Sequence, residues 1–356
     1  MKKTISFLLI MLILTSCSEN AAKYKKYSFS FMDTFDTVVQ MVGYAKSKEE
    51  FDEYAEFAHN EFSYYHKLFD KYNSYEGINN VKTINDNAGI EPVAVDKNMI
   101  ELIKMSKEWY TKTNKTVNIA YGAVLEIWHN YRDFYQYDEN GKLPSEDELE
   151  QAALHTDIEK VIVDEKAGTV FLAEKGMSLD VGAIAKGFAT EMIGNELFEK
   201  GLHSFIISSG GNVRVYDAPK DKKIKSWGIG IEDPLKNPMD LEAEYLDIAF
   251  INNKSFVTSG NYIRYYTVDG KKIHHIIDTK TNFPANNYSA VTVLTENSGV
   301  ADITSTALYI MNIDEGKKFA AENNLDVMWV YENGEVVVTD GLVPYLKNRG
   351  KASNKT

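Results

Sequence analysis

Apolar and polar residues alternate along short stretches of this chain and recur at helical spacing along longer ones. Residues 27–43 alternate with a period of two and predict two strands that break near 33–36. Along residues 48–72, aromatic side chains recur every three or four positions, which predicts an amphipathic helix. Residues 73–95 are rich in Asn, Gly and Asp, and we expect them to form a loop.

The rest of the chain combines short strands with helices. Helices are predicted at 97–111, 120–131, 183–199, 300–311 and 314–323, and strands at 160–163, 169–172, 177–179, 204–207, 227–231, 245–251, 289–294, 326–331 and 335–339. The strands and helices do not alternate with the regular rhythm of a doubly wound parallel sheet. The pattern therefore predicts an α+β fold with mixed or antiparallel sheets and flanking helices. Residues 347–356 are polar and are expected to fray as a tail.

The N-terminus indicates a targeting signal. Two lysines precede an apolar run at 5–14, which is shorter than the ~20 residues that span a bilayer and matches a secretory signal peptide. The tetrapeptide that ends at Cys17 resembles a bacterial lipobox, whose cysteine is acylated. We therefore predict a signal peptide at 1–16 and a tether at 17–26, lipid-anchored to the cell membrane on its extracytoplasmic side. The alternative is a buried free cysteine beside an ordinary secretion signal.

Composition limits the classes of function. The 356 residues are 44% hydrophobic, which is enough for a sizeable core. The chain has 39 basic and 52 acidic residues, a formal net charge of −13, and no Lys/Arg-rich stripe, so a nucleic-acid-binding surface is not expected. A single cysteine excludes an internal disulfide framework, a thiolate zinc site and an iron–sulfur cluster. Any metal must therefore be held by oxygen or imidazole ligands.

Residues 180–187 place a glycine turn and a lysine at the start of a predicted helix. The free N–H groups at a helix N-terminus can bind a phosphate, and Gly182 would allow a phosphate to approach them closely. The segment matches neither the Walker A loop nor the Gly-x-Gly-x-x-Gly pattern. A phosphate site and a plain capped helix with a solvated lysine both remain open.

Asp302 and Thr306 lie four residues apart and share one face of a predicted helix. A carboxylate and a hydroxyl are ligands that Mg²⁺ accepts, often together with substrate phosphates and water. The alternative is that Asp302 caps the helix and Thr306 bonds back to its backbone. Another motif, at 208–212, follows a buried strand, and its two glycines suit either the close approach of a ligand or an ordinary β-turn.

His274 and His275 lie on a predicted strand that ends at Asp278. Because consecutive strand residues face opposite sides, only one of the two histidines can reach a given site. A histidine near a carboxylate can act as a base near neutral pH. A structural role is the alternative for either of them.

In their order and sequence, these motifs resemble the ApbE family, the FAD:protein FMN transferases or flavin transferases. The matching stretches are FMDT at 31–34 with Thr37 and Val38, DVGAIAKG at 180–187, SGGN at 209–212, WGIGIEDP at 227–234, TSGNY at 258–262, HIID at 275–278, and Ala301 and Asp302 with Thr306. The resemblance implies a two-lobed, single-chain flavin transferase architecture over residues 27–346.

The resemblance also implies site residues. Magnesium would be held by the backbone carbonyl of Ala183 and the side chains of Asp302 and Thr306. His275 would be the catalytic base, with Asp278 as the next candidate. The flavin contacts would fall on Met32, Tyr72, Asn118, Ile119, Ala120, Asp180 and Lys186.

The activity that the resemblance implies is Mg²⁺-dependent transfer of FMN from FAD to a threonine hydroxyl of an extracytoplasmic acceptor protein, with release of AMP. Two other classes remain open, a FAD pyrophosphatase that gives FMN and AMP, and a non-catalytic FAD-binding lipoprotein. The sequence departs from the family pattern at Asn118, where many members have Asp, and at 279–281, which lacks the usual Pro-Arg-Thr. Asn282 replaces the usual glycine, so the loop after Asp278 is expected to close differently.

Overall fold

The computed structural model describes residues 23–136, 138, 140–236 and 245–355. The predicted signal peptide and Cys17 lie outside the described residues. The helices are α1 Lys48–Phe69, α2 Val81–Asp86, α3 Lys97–Lys112, α4 Gly122–Tyr135, α5 Glu146–Ala153, α6 Ala185–Glu199, α7 Ser298–Ile310, α8 Ile313–Glu322 and α9 Lys347–Gly350. The strands are β1 Lys25–Thr34, β2 Thr37–Ala45, β3 Val93–Ala94, β4 Val161–Asp164, β5 Thr169–Leu172, β6 Phe205–Ser209, β7 Asn212–Tyr216, β8 Trp227–Ile231, β9 Asp247–Ile251, β10 Ser255–Gly260, β11 Tyr265–Val268, β12 Lys271–His274, β13 Ala290–Thr295, β14 Asp326–Val330 and β15 Val336–Val338.

One eight-stranded sheet organises the molecule, in the order β1-β2-β6-β7-β10-β13-β14-β15. Each neighbouring pair in it is antiparallel. The predicted α+β class with antiparallel sheets is confirmed. The domain boundaries inferred from the sequence stay predictions.

The two faces of the large sheet have different partners because side chains alternate along each strand. Val257 and Val293 face the main core, which they share with α1, α6 and α7. Their neighbours Phe256 and Leu294 lie on the opposite face, against the two-stranded β8–β9 ribbon. A third, smaller core around Trp128 joins α4 and α5 to β11. The sheet therefore lies between a helical layer and a β-ribbon.

The structure corrects several sequence-based predictions of elements. The stretch 73–95 is not only a loop, since it contains α2 and β3, and Asn80 starts α2 with a reciprocal capping box. The predicted strand at 177–179 is reduced to one bridge between Ser178 and Tyr121. Elements β7, β10, β11 and α5 were not predicted from the sequence.

The C-terminal segment is also more ordered than expected at its start. Residues Lys347–Gly350 form α9. Arg349 pairs with Asp247 of β9 at 2.9 Å, and the same carboxylate accepts a hydrogen bond from the backbone N–H of Asn348. These contacts hold this part of the expected frayed tail against the body.

Candidate functional site

A cleft of about 970 Å³ opens where the ends of α1 and α4, the start of α6, the β6–β7 turn, β10 and α7 meet. Its volume is near the upper end of the roughly 300–1,000 Å³ typical of small-molecule sites. The cleft gathers most of the predicted site residues, namely Tyr72, Asn118, Ile119, Asp180, Ala183, Lys186, His275, Asp302 and Thr306. Segments far apart in the sequence thus meet at one site.

Three predicted site residues do not line this cleft. Met32 is 73% exposed on β1, at a point where the register with β2 shifts. Ala120 is fully buried, and its N–H donates to the side chain of Asn118. The carboxylate of Asp278 accepts a hydrogen bond from the N–H of Lys280, so it holds the turn that follows it.

Asp302 lies within α7 rather than at its cap. The helix begins at Ser298, and Asn297 caps it by accepting a hydrogen bond from the N–H of Val300. Asp302 is buried, and its Oδ2 accepts a hydrogen bond from the N–H of Gly187 at 2.8 Å. The capping alternative for Asp302 is therefore wrong, although the hydroxyl of Thr306 does bond back to the Asp302 carbonyl at 3.4 Å.

The electrostatic environment of Asp302 is dominated by burial. Burial raises the pKa of this carboxyl. The largest opposing influences are the positive charge of Lys186 and the hydrogen bond from Gly187, with smaller ones from Asn212 and Arg264. Lys186 acts through Coulombic attraction, without a hydrogen bond. The carbonyl of Ala183 and the hydroxyl of Thr306 belong to residues of the same cleft. This set of a carboxylate, a hydroxyl and a carbonyl has the donor chemistry that a hard divalent cation prefers.

A second carboxylate, Asp180, whose side chain is 10% exposed, belongs to a cluster at another part of the cleft. Its Oδ2 lies 2.7 Å from Nζ of Lys71, and its Oδ1 accepts a hydrogen bond from the N–H of Gly182 at 2.9 Å. Lys71 also lies 2.9 Å from Nδ1 of His129 and 5.0 Å from the ring centre of Tyr72. Burial opposes ionisation, yet the attraction of Lys71 and His129 holds the pKa of Asp180 at about 2. The carboxylate is therefore ionised at neutral pH.

Sequence reasoning missed Lys71 and His129. Lys71 and Asp180 are 109 positions apart, and Lys71 and His129 are 58 apart. No local sequence pattern links these residues. The sequence shows only the apolar spacing of α1, which ends just before Lys71, and of α4, which carries His129. Burial lowers the pKa of His129 to about 4, so its ring is neutral and Nδ1 can accept a hydrogen bond from Lys71.

The two adjacent histidines have different environments, as expected, although β12 ends at His274 rather than continuing to Asp278. His274 is buried, with Nε2 2.6 Å from the carbonyl oxygen of Ala285 and its ring against Tyr309. His275 lines the cleft, and its Nδ1 lies 3.2 Å from the carbonyl oxygen of Arg264. Because a carbonyl only accepts, this contact places the proton on Nδ1 and leaves the lone pair on Nε2. Burial, aided by Arg264, lowers the pKa of His275 to about 3, so the imidazole is neutral.

Two tight turns complete the site. Gly210 and Gly211 have φ of 55° and 88° and join β6 to β7, the positive angles that a type I′ hairpin turn requires. The motif is an ordinary turn that also lines the cleft, and the close approach of a ligand to it stays a prediction. Asn282 has φ of 62°, which asparagine tolerates. Its side chain accepts from the hydroxyl of Tyr121 and its carbonyl from Nε1 of Trp128, so the loop after Asp278 closes with asparagine in this position.

Comparison with known proteins gives a consistent result. The model of the ApbE family matches residues 35–329. A curated relative, the FAD:protein FMN transferase of Klebsiella pneumoniae, is 30% identical over 261 residues, covering 73% of this chain and 77% of the relative. The FAD:protein FMN transferase of Treponema pallidum is 29% identical over 276 residues, covering 73% of each chain.

The fold and the N-terminus have known counterparts too. The crystal structure of the ApbE protein of Thermotoga maritima has a TM-score of 0.76 and 27% identity, covering 90% of this chain and 99% of that one. The flavin transferase ApbE of Vibrio cholerae has a TM-score of 0.75 at 20% identity, a likeness of fold. The model for a prokaryotic membrane lipoprotein lipid attachment site matches residues 1–18. In the described part of the chain, no helix has the length and apolar character needed to cross a membrane. Because the family model matches most of this chain, this protein belongs to the ApbE family.

Proposed function

We propose that this protein transfers FMN from FAD to an acceptor protein and releases AMP. The observation that carries the proposal is that one cleft gathers the oxygen donors of Ala183, Asp302 and Thr306 with Lys186 and a neutral His275. The curated relatives are named FAD:protein FMN transferases. A metal-binding donor set, a fixed cation and a base are the groups that transfer of a phosphoryl-linked group requires.

Magnesium fits the donor set of α7 and the turn before α6. We assign its ligands to the carbonyl of Ala183, the carboxylate of Asp302 and the hydroxyl of Thr306. When bound, Mg²⁺ neutralises charge on the pyrophosphate oxygens of FAD. Lys186, in the first turn of α6, adds a fixed positive charge at a helix N-terminus, where anions are favoured.

His275 is the proposed base. Its Nε2 takes the proton of the acceptor threonine hydroxyl as that oxygen bonds to the phosphorus of the FMN half. The bond from this phosphorus to the bridging oxygen breaks, and AMP leaves with the electron pair. The hydrogen bond from Nδ1 to Arg264 fixes the ring, and the approach of the anionic pyrophosphate would raise the low pKa of His275. The carboxylate of Asp278 holds a turn instead, which favours His275 over Asp278.

The flavin contacts are assigned to residues that line the cleft. Tyr72 is 58% exposed and offers a ring face for stacking. The ionised Asp180 can accept hydrogen bonds from N–H groups of the substrate, and Asn118 and Ile119 line the same cleft. Met32 and Ala120 remain predictions from the resemblance, because the structure does not bring them to the cleft.

The N-terminal attachment site supports a lipid anchor at Cys17. We propose that the anchored body works on the extracytoplasmic side, where its acceptor would be a secreted or membrane protein. Cys17→Ser should release the protein from membranes and leave the catalysis of the body unchanged, because the thiol is the point of acylation. Cell fractionation tests this, and a variant found wholly with membranes after normal signal processing would contradict it.

The test of the activity is incubation with FAD and Mg²⁺, with and without candidate extracytoplasmic proteins. We expect AMP release that requires the acceptor, together with an acceptor that gains the mass of FMN on a threonine. AMP release that is the same without any acceptor would indicate a FAD pyrophosphatase instead. FAD binding without AMP release under either condition would indicate a flavin-binding lipoprotein.

A further inference from the structure

Two hydrogen bonds, one helical turn apart, join helix α6 to helix α7. In the first, the N–H of Gly187 donates to Oδ2 of Asp302 at 2.8 Å. In the second, the N–H of Ser298 donates to Oε2 of Glu191 at 2.7 Å. Four residues separate Gly187 from Glu191 and Ser298 from Asp302, so the two bonds connect successive turns of both helices.

The helices approach too closely at this point to admit a side chain. A Cβ atom on Gly187 would collide with the carbonyl of Ser298 and lie 2.6 Å from Cβ of Asp302. The position of Asp302 therefore depends directly on how the first turn of α7 sits against α6. A group that fixes Ser298 also fixes the carboxylate one turn later.

Glu191 is the centre of the network that fixes Ser298. Besides accepting from Ser298, its carboxylate pairs with Arg214 of β7, with Nε 3.0 Å from Oε2 and Nη2 3.3 Å from Oε1. The hydroxyl of Ser298 donates to Oδ1 of Asn212 on the same strand at 2.6 Å. Glu191, Arg214 and Asn212 are all more than nine-tenths buried, and Asn212 also lines the cleft. One carboxylate thus joins α6, α7 and the central sheet.

We propose that Glu191 is a positioning residue for the metal site: it fixes the first turn of α7, and with it Asp302, at the distance from α6 that cation binding requires. This inference rests on the assignment of the metal site in the proposed function. Glu191 does not line the cleft and is not itself a ligand or a catalytic group.

The test measures cation binding rather than activity alone, with Mn²⁺ as the probe and FAD present. Free Mn²⁺ is followed by electron paramagnetic resonance for the wild type and for Glu191→Gln, which keeps the shape of the side chain but removes its charge. We expect the dissociation constant for Mn²⁺ to rise about tenfold or more, as is typical when a group that orients a metal ligand is lost. Turnover should recover when Mn²⁺ is raised to saturation.

A second variant covers the case in which Glu191→Gln does not fold. Glu191→Asp keeps a negative charge for Arg214 but is one methylene shorter and should lose the bond to Ser298, so it should also weaken Mn²⁺ binding. The matched control is Asp247→Asn, because Asp247 is a buried carboxylate paired with Arg349 and lies outside the cleft. Asp247→Asn should lower the midpoint temperature of thermal unfolding and leave the affinity for Mn²⁺ unchanged.

The outcomes of these experiments distinguish the positioning role of Glu191 from the metal-site assignment on which it rests. If Asp302→Ala weakens Mn²⁺ binding but both Glu191 variants bind Mn²⁺ as the wild type does, the positioning role is overturned and the metal site stands. If Asp302→Ala also binds Mn²⁺ as the wild type does, the metal assignment fails, and the inference fails with it. A loss of Mn²⁺ affinity in Asp247→Asn equal to that in Glu191→Gln would reduce the effect to general destabilisation and overturn the positioning role.

Discussion

Two carboxylates with little exposure to solvent belong to the same cleft, and their electrostatic environments are opposite. Asp180 contacts Nζ of Lys71 at 2.7 Å, and its pKa is held at about 2. Asp302 receives a neutral N–H from Gly187 and feels Lys186 only at longer range, so burial raises its pKa. Asp180 already has a lysine of the protein in contact with it. Asp302 is instead suited to bind a metal cation together with the substrate. This contrast supports the proposed assignment of Asp180 to the flavin and of Asp302 to magnesium.

The largest expected effect is that of Asp302→Ala on metal-dependent activity. The change removes the only ionisable side chain among the three assigned ligands. The loss of AMP release should exceed the roughly 10- to 100-fold typical of losing a group that merely orients a ligand. A Mg²⁺ titration of AMP release checks this, with Asp180→Asn as the contrast, which should weaken FAD binding and keep the Mg²⁺ dependence. An unchanged Mg²⁺ dependence in Asp302→Ala would leave Asp302 the structural role of holding Gly187.

The next effect distinguishes the two adjacent histidines, His274 and His275. His275→Ala should lower turnover by about 10²- to 10⁴-fold, the usual contribution of a general base, with FAD affinity nearly unchanged. His274→Ala should leave both quantities of the folded protein near wild type, since His274 is buried against Ala285 and Tyr309. Separate measurements of FAD binding and single-turnover rate test both variants. The reverse result, or a parallel fall of affinity and turnover in His275→Ala, would return His275 to a structural or binding role.

On the Asp180 side, Lys71→Met should affect stability. It leaves Asp180 buried without its cation, which typically costs about 3–5 kcal/mol in the free energy of unfolding. Denaturant unfolding at neutral pH measures the loss. The control is Lys48→Met, because Lys48 pairs with Asp52 on the exposed face of α1, where such a pair contributes about 0–1 kcal/mol. Equal effects of the two variants would show that the pair of Lys71 and Asp180 is not the stabilising contact we infer.

The smallest effect concerns the pH dependence of stability through His129. Its pKa is lowered from 6.5 to about 4 in the folded protein, mainly by burial. As the pH falls from 6.5 towards 4, the unfolded chain binds a proton that the folded protein does not, so stability falls with pH in this window and levels off below it. His129→Gln should remove the part of this decline that His129 causes, which is at most about 3 kcal/mol. Unfolding curves across the window test it, and an identical decline in the variant would contradict it.

The sequence predicted best those elements in which buried apolar residues recur at the regular spacing of a helix or a strand. Helix α3 was predicted at 97–111 and is found at Lys97–Lys112, because its apolar positions face a single core. Strand β10 was missed, since its sequence SFVTSG is rich in small polar residues and lies in the middle of the sheet, paired on both edges. In such a strand, neither the spacing of apolar residues nor the amino-acid composition indicates a strand clearly.

The residues of the candidate site also differ in how well the sequence predicts them. Lys186, Asp302 and Thr306 lie in local motifs, and both their chemistry and the family resemblance pointed to them. The pairing of Lys71 with Asp180 depends on a tertiary contact across 109 positions, which no spacing rule shows. Met32 lies in a matching motif, yet the register shift between Phe31 and Thr34 occurs at its place in β1, and it is 73% exposed. The motifs supplied the candidate site residues, and the fold determined which of them line the cleft.

The most direct test of the contrast between the two carboxylates is to locate a divalent cation by anomalous diffraction from crystals grown with Mn²⁺ and AMP. We predict a peak at coordination distance from the carboxylate of Asp302, the hydroxyl of Thr306 and the carbonyl of Ala183, with none beside Asp180. A peak at Asp180 that displaces Lys71, or a fully occupied site elsewhere in the cleft with no metal at Asp302, would contradict this prediction.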